Sequence, residues 1–163
     1  EPDIKLLDMN TTHKSNFKYE IIKLLLGLFL ALIGMFIKNE IISNILIIAE
    51  NNMGDFDKML TMLTPGAGKI SCVAKGARRP KSALLAGTQF LCFGEYMLFK
   101  SGDNYSINSC ETIEMFYNLR TDLDKLKYGT LATKIIQDVT NENENTYKIL
   151  QLFLNTLYAI SGN

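Results

Sequence analysis

Residues 58–82 read KMLTMLTPGAGKISCVAKGARRPKS, and this stretch decides the fold. Lys58–Thr64 is a short, largely apolar run closed by Pro65-Gly66-Ala67-Gly68, and Ile70–Ala74 resumes after the break. Two such runs about a Pro/Gly turn predict a β-hairpin over 58–74. Lys75–Ser82 then ends the pattern. Gly76 and Pro80 interrupt regular structure there, and Lys75, Arg78, Arg79 and Lys81 set four positive charges in seven residues.

Further strands lie on both sides of the hairpin. Ile41–Ala49 is β-branched and short, and Asn51-Asn52-Met53-Gly54-Asp55 punctuates it like a turn. Gln89–Lys100 (QFLCFGEYMLFK) reads as a long aromatic strand, Ser101–Asn104 as a turn and Tyr105–Ile113 as a fifth strand. Five strands without an intervening helical period predict a small antiparallel barrel or sandwich. An OB-fold is the best-known five-stranded barrel of this size, although spacing alone does not separate it from an SH3-like barrel. In Gln89–Lys100 both alternating sets are apolar, Leu91, Phe93, Met97 and Phe99 against Phe90, Cys92, Tyr96 and Leu98. Such a strand is expected to be covered on both faces, by the barrel and by a second element.

That element is predicted to be helical. Leu119, Leu123, Leu126, Leu131, Ile135 and Val139 recur at helical steps between Tyr117 and Val139. Arg120 with Asp124, and Lys134 with Asp138, sit one turn apart, where they can pair weakly. After the polar break Thr140–Asn145, a second helix over Tyr147–Ile160, capped by Asn145 or Thr146, carries Leu150, Phe153, Leu154 and Leu157 on one face. The expected class is α+β. An N-terminal extension (1–40) precedes the barrel (41–115), and an incomplete α-helical domain (116–163) follows it.

The extension carries the uninterrupted apolar run Leu24–Ile37, preceded by Ile21, Ile22 and Lys23. Its 14 residues fall short of the roughly 20 that span a bilayer. The run has no polar face, so it predicts an apolar helix set in lipid or buried in protein. No small-residue cleavage site follows it, since Lys38-Asn39-Glu40 comes next. The chain opens on Glu1, as a processed chain or a fragment would.

Composition narrows the chemistry. The chain has 163 residues, 17 Lys+Arg, 17 Asp+Glu and a single His. With only His13, acid–base or triad chemistry has no obvious carrier. Cys72, Cys92 and Cys110 form no CxxC pair, which excludes a zinc ribbon within this chain and argues against a disulfide framework. Gly66-Ala67-Gly68-Lys69 lacks the spacing of a nucleotide-binding P-loop. Asp55 and Asp57, flanking Phe56, read most simply as exposed, solubilising turn residues.

Zero net charge conceals segregation. Residues 66–100 hold six bases, Lys69, Lys75, Arg78, Arg79, Lys81 and Lys100, against Glu95 alone. Guanidinium forks match phosphate oxygens, so the cluster predicts an anionic partner. Beside a barrel strand bearing Phe90, Phe93, Tyr96 and Phe99, it predicts a single-strand binding groove, provided that some of these rings escape the core.

The order and spacing of Gly54-Asp55-Phe56-Asp57-Lys58, Leu60–Pro65, Gly68-Lys69-Ile70-Ser71 and Val73–Ser82 (VAKGARRPKS), continued by Gly87 and Gln89, resemble the N-terminal domain of the bacterial recombination-mediator family RecO. Phe116–Leu123 (FYNLRTDL) resembles the helical part of the same family. The resemblance implies an OB-fold followed by an α-helical domain. It implies a non-enzymatic role without a cofactor: binding single- and double-stranded DNA, annealing complementary strands, and helping RecA replace single-strand DNA-binding protein together with RecR. Repair of DNA damage through the RecF pathway, in the cytoplasm at the nucleoid, follows from the same resemblance. The family's basic loop falls on Lys75, Arg78, Arg79 and Lys81, with Lys69 and Lys100 completing the candidate DNA-binding set. Typical members continue further and carry a four-cysteine zinc motif in that later part, for which this chain has no counterpart. The pocket for the tail of single-strand DNA-binding protein lies in the helical domain. Residues 1–40 match nothing in the family and read as a tether or a fusion. The rival reading is a membrane-anchored module, held through residues 21–37, whose small barrel binds protein or anionic lipid.

Overall fold

Alternation builds the barrel. Along Asp57–Thr64 (β2) the side chains of Leu60 and Met62 turn inward, and along Gly68–Ala74 (β3) those of Ile70, Cys72 and Ala74 do the same. Their register sets Leu60 opposite Cys72 and Met62 opposite Ile70, which is the predicted hairpin. The structure, a computed structural model, describes residues 19–30 and 40–162. The chain divides into two units, Glu1–Asn39 and Glu40–Asn163.

In the second unit, Glu40–Met53 (β1) is longer than expected, because Asn51, Asn52 and Met53 pair with Met59, Lys58 and Asp57 rather than turning. The turn falls on Gly54–Phe56. β1 pairs with β2 through Leu46–Met53 and with Phe93–Ser101 (β4) through Glu40–Leu46, and a register shift between Ile47 and Ala49 lets the strand bend between them. Asn104–Glu114 (β5) lies antiparallel to β4. It closes the barrel by one short parallel pairing, Cys72 with Tyr105 and Val73 with Ser106. The order β1-β2-β3-β5-β4 is a closed five-stranded OB-type barrel, and helices follow it.

Ile45, Leu46, Ile47 and Ile48 are all buried, against the usual alternation, because β1 has two apolar sides. Ile45 and Ile47 enter the barrel core with Tyr96, Leu98 and Ile107. Leu46 and Ile48 enter a second core with Leu63, Leu91 and the helices. The strand expected over Gln89–Lys100 starts only at Phe93. Leu91 has φ 62, and residues 89–92 turn so that Leu91 N–H donates to the Ile47 carbonyl at 3.0 Å. This leaves Cys92, Tyr96 and Leu98 inside the barrel while Phe90 and Phe93 pack towards the helices.

The single helix expected over 117–139 is two. Tyr117–Thr121 (α2) ends at Asp122, which is extended and caps Leu123–Val139 (α3) by accepting from the backbone N–H groups of Asp124 and Lys125. The predicted apolar stripe then faces outward: Leu123, Leu131, Ile135 and Val139 are exposed. α3 packs instead through Gly129 and Thr133. A Cβ on Gly129 would lie 3.1 Å from Leu119 Cδ2 and 3.5 Å from Leu91 Cδ1, so only a small residue permits this approach. Neither predicted ion pair forms. Asp124 pairs with Lys127 at 3.1 Å, Arg120 donates to Gln89 Oε1 and to the Met115 carbonyl, and nothing among the described residues joins Lys134 to Asp138.

Tyr147–Ser161 (α4) buries Leu150, Phe153 and Leu157 as expected. Asn145 Oδ1 accepts from Tyr147 N–H, whereas the Thr146 hydroxyl donates to the Thr64 carbonyl at 2.5 Å and ties the helix start to the barrel. Gly68 makes the neighbouring contact possible. It has φ +69, and a Cβ there would sit 2.1 Å from the Asn141 carbonyl oxygen.

In the first unit, residues 19–30 (α1) are helical, with apolar side chains exposed all round and Glu20 paired to Lys23 at 3.4 Å. The remainder of the predicted apolar run, 31–37, lies outside the described residues. Among the described residues no helix is long and apolar enough to cross a membrane.

Candidate nucleic-acid interface

The basic loop is built by a plug and a brace. Gly76, at φ +64, turns the chain as it leaves β3, and Ala77 drops into the barrel core. A buried residue between Gly76 and Arg78 fixes the loop's backbone and forces its flanking side chains outward. The brace is the β1–β2 turn. Asp57 Oδ1 accepts from Gly76 N–H at 2.7 Å, and Arg78 N–H donates to the Phe56 carbonyl at 2.9 Å. Arg78 Nη1 donates to the Gly54 carbonyl at 3.3 Å, and the Arg79 guanidinium stands over the Phe56 ring, 5.4 Å from its centroid. Two short turns continue the loop, Arg79 N–H to Gly76 O at 3.1 Å and Ser82 N–H to Arg79 O at 2.9 Å.

Lys75, Arg78, Arg79 and Lys81 are all exposed. None of the four forms an ion pair among the described residues. A braced backbone carrying four exposed cations against the one Asp57 carboxylate of the brace concentrates positive potential and loses little conformational freedom on meeting an anion.

The other two bases of the candidate set lie elsewhere. Lys69 Nζ donates to the Gln137 carbonyl at 2.6 Å near the C-terminal end of α3, so its charge faces the negative end of that helix. Lys100 sits over the Tyr105 ring at 5.1 Å, beside a groove of about 180 Å³ bordered by Ser71, Val73 and Asn104. It belongs to the β4–β5 end of the barrel, where Tyr105 pairs with Cys72.

Of the four aromatic rings proposed for base stacking, Tyr96 is fully buried and its hydroxyl donates to the Gly87 carbonyl at 2.5 Å. Phe90 and Phe93 pack on the helices, and only Phe99 is exposed. The exposed ring beside the basic loop is Phe56, with 47% of its surface accessible. Asp57 is likewise no mere solubilising residue, because it holds the loop. The local signal for both was present, an aromatic and a carboxylate in a Gly-Asp-Phe-Asp turn, but their partners lie some twenty residues further on.

Cys72 and Cys92 are buried and Cys110 is partly buried. Burial pushes the Cys72 thiol up to about 12, and burial followed by the neighbouring Cys92 raises that of Cys110. Burial also raises the Tyr96 phenol above its ordinary range. Among the described residues no group of His, Cys, Asp or Glu is placed to hold a metal ion.

Residues 39–116 match the family described as Recombination protein O N terminal. The chain is 50% identical over 116 residues to a DNA repair protein RecO of Acetivibrio thermocellus, an alignment covering 71% of this chain and 46% of that protein. A DNA repair protein RecO of Alkaliphilus metalliredigens is 38% identical over 114 residues, covering 70% of this chain and 46% of the relative. One of Clostridium novyi is 33% identical over 117 residues, covering 72% and 46%. The chain therefore spans about half the length of the curated relatives it matches. Residues 39–116, the barrel and its braced basic loop, are a RecO N-terminal domain, and over the length shared with these relatives the chain belongs to the RecO family.

Proposed function

We propose that this chain is a non-enzymatic DNA-repair recombination mediator that binds single- and double-stranded DNA through the loop Lys75–Ser82. The observation that carries the reading is the set of four exposed cations, in no ion pair among the described residues, on a backbone fixed by Ala77 and Asp57. Phosphate contacts from such a loop are independent of sequence, as a protein acting on any damaged strand requires. Neutralising the backbone charge of two complementary strands lowers their mutual repulsion, which is the physical basis for annealing them. Assistance to RecA loading with RecR, contact with single-strand DNA-binding protein, and action in the cytoplasm at the nucleoid belong to the same reading. They draw on the RecO relatives.

The test is strand annealing followed by dye quenching between complementary oligonucleotides. The chain accelerates annealing at low salt, and the acceleration fades as salt rises. A folded chain that leaves the uncatalysed rate unchanged at low salt contradicts the reading.

A further inference from the structure

The tip of the β1–β2 turn is an unexpected place for an exposed phenyl ring. Gly54 and Asp55 are the polar, turn-forming residues such a tip ordinarily holds, yet Phe56 beside them keeps 47% of its surface accessible. The fold does not bury it, although the cores of the barrel and of the helices are both close-packed with large apolar side chains. What holds the ring is the basic loop. Arg79 stands over its face at 5.4 Å, the Phe56 carbonyl accepts from Arg78 N–H at 2.9 Å, and the adjacent Asp57 accepts from Gly76 N–H at 2.7 Å. One contact to the ring and two to the backbone and side chain of its turn thus join an exposed aromatic surface to a loop of four cations that form no ion pair among the described residues.

An aromatic plane next to phosphate-binding side chains is the chemistry of a single-stranded nucleic acid site. Cations alone attract any polyphosphate backbone and attract a duplex, with its higher charge density, at least as well. A ring can add to binding only where a base is unstacked and free to lie on it. We infer that Phe56, oriented by Arg79, is a stacking platform for one unpaired base of a single strand whose phosphates lie along Lys75, Arg78 and Lys81. The platform adds affinity for single strands that a duplex, whose bases stay stacked, cannot gain. This inference rests on the DNA-binding reading of the loop and adds to it the residue that discriminates between strand states.

The test compares the full chain with Phe56→Ala and Phe56→Tyr on three fluorescent probes: an oligothymidylate, the same backbone carrying abasic sites in place of bases, and a duplex of equal length. Loss of one stacked base weakens oligothymidylate binding roughly ten-fold in Phe56→Ala. Binding of the abasic backbone and the duplex stays within about two-fold, since their contacts are to phosphate alone. Phe56→Tyr, which keeps the plane, retains the preference. The inference is overturned if Phe56→Ala keeps the wild-type ratio between oligothymidylate and abasic probe. It is equally overturned if all three probes weaken together, because Phe56 then serves only to hold the loop. Failure of the wild-type chain to bind any of the three would instead remove the DNA-binding reading itself, and the inference with it.

Discussion

The barrel and α3 bury their apolar residues by opposite rules. On β2 and β3 each inward position is filled by the residue the pattern places there, and Leu60, Met62, Ile70 and Cys72 lie at 5% exposure or less. On α3 the large residues Leu131, Ile135 and Val139 are 55–58% exposed, while Gly129 and Thr133 face the interior. A closed barrel has a fixed inside, so strand alternation reads directly as burial. A helix has no inside of its own, and its buried face is chosen by whatever lies closest. Here that neighbour is Leu119 on α2 with Leu91 from the turn before β4, and they leave room for a small residue.

This contrast can be broken most forcefully with a pair of leucines. Leu60→Ala empties a fully buried barrel position and is expected to cost about 3 kcal/mol. Leu131→Ala, the same chemical change on the outward face of α3, is expected to stay within about 0.5 kcal/mol. Urea unfolding of the two variants side by side decides it, and equal losses would mean that the exposed stripe of α3 is buried in solution.

A second variant sharpens the boundary between the two regions. Gly68→Ala drives a Cβ to 2.1 Å from the Asn141 carbonyl oxygen and strains a residue at φ +69. It is expected to cost about 2 kcal/mol and to loosen the hydrogen bonds between the β2–β3 turn and the segment 141–146, visible as faster amide exchange at Lys69, Asn143 and Thr146. Exchange unchanged at all three amides would deny that Gly68 is the hinge of that contact.

The smallest expected effect concerns the brace. Asp57→Ala leaves Gly76 N–H without its acceptor and is expected to cost about 1 kcal/mol, with DNA binding weakened a few-fold through a looser loop. Asp57→Asn keeps an accepting oxygen and should bind DNA nearly as the wild type does. Loss of binding in Asp57→Asn as severe as in Asp57→Ala would show that the carboxylate's charge matters, not its bond.

What could be read beforehand followed the range of the interactions concerned. The hairpin over 58–74 and the loop VAKGARRPKS were legible because their turn residues, alternation and charge are local. The N-terminal reach of β4 was overestimated because Leu91 adopts φ 62 to meet β1, a contact with a residue more than forty positions earlier. Lys69 looked like one more base of the cluster, but its partner carbonyl belongs to Gln137. Phe56 and Asp57 read as ordinary turn residues for the same reason: their roles appear only when the basic loop folds back upon them. The break at Asp122 was hidden because Leu119 and Leu123 keep helical spacing across it, and only the cap bonds to Asp124 and Lys125 mark a new helix.

The central claim, that the braced loop is the nucleic-acid surface, is tested most directly by binding of the chain to a fluorescent single-stranded oligonucleotide across a salt series. The chain carrying Arg78→Glu, Arg79→Glu and Lys81→Glu together is measured beside it, with circular dichroism to confirm that the barrel is intact. The wild-type chain is expected to bind with an affinity that falls as salt rises. The variant is expected to lose most of that affinity and to show a log–log salt slope shallower by about 0.7 for each phosphate contact removed. A folded variant that binds as tightly as the wild type, with an unchanged salt slope, would contradict the account.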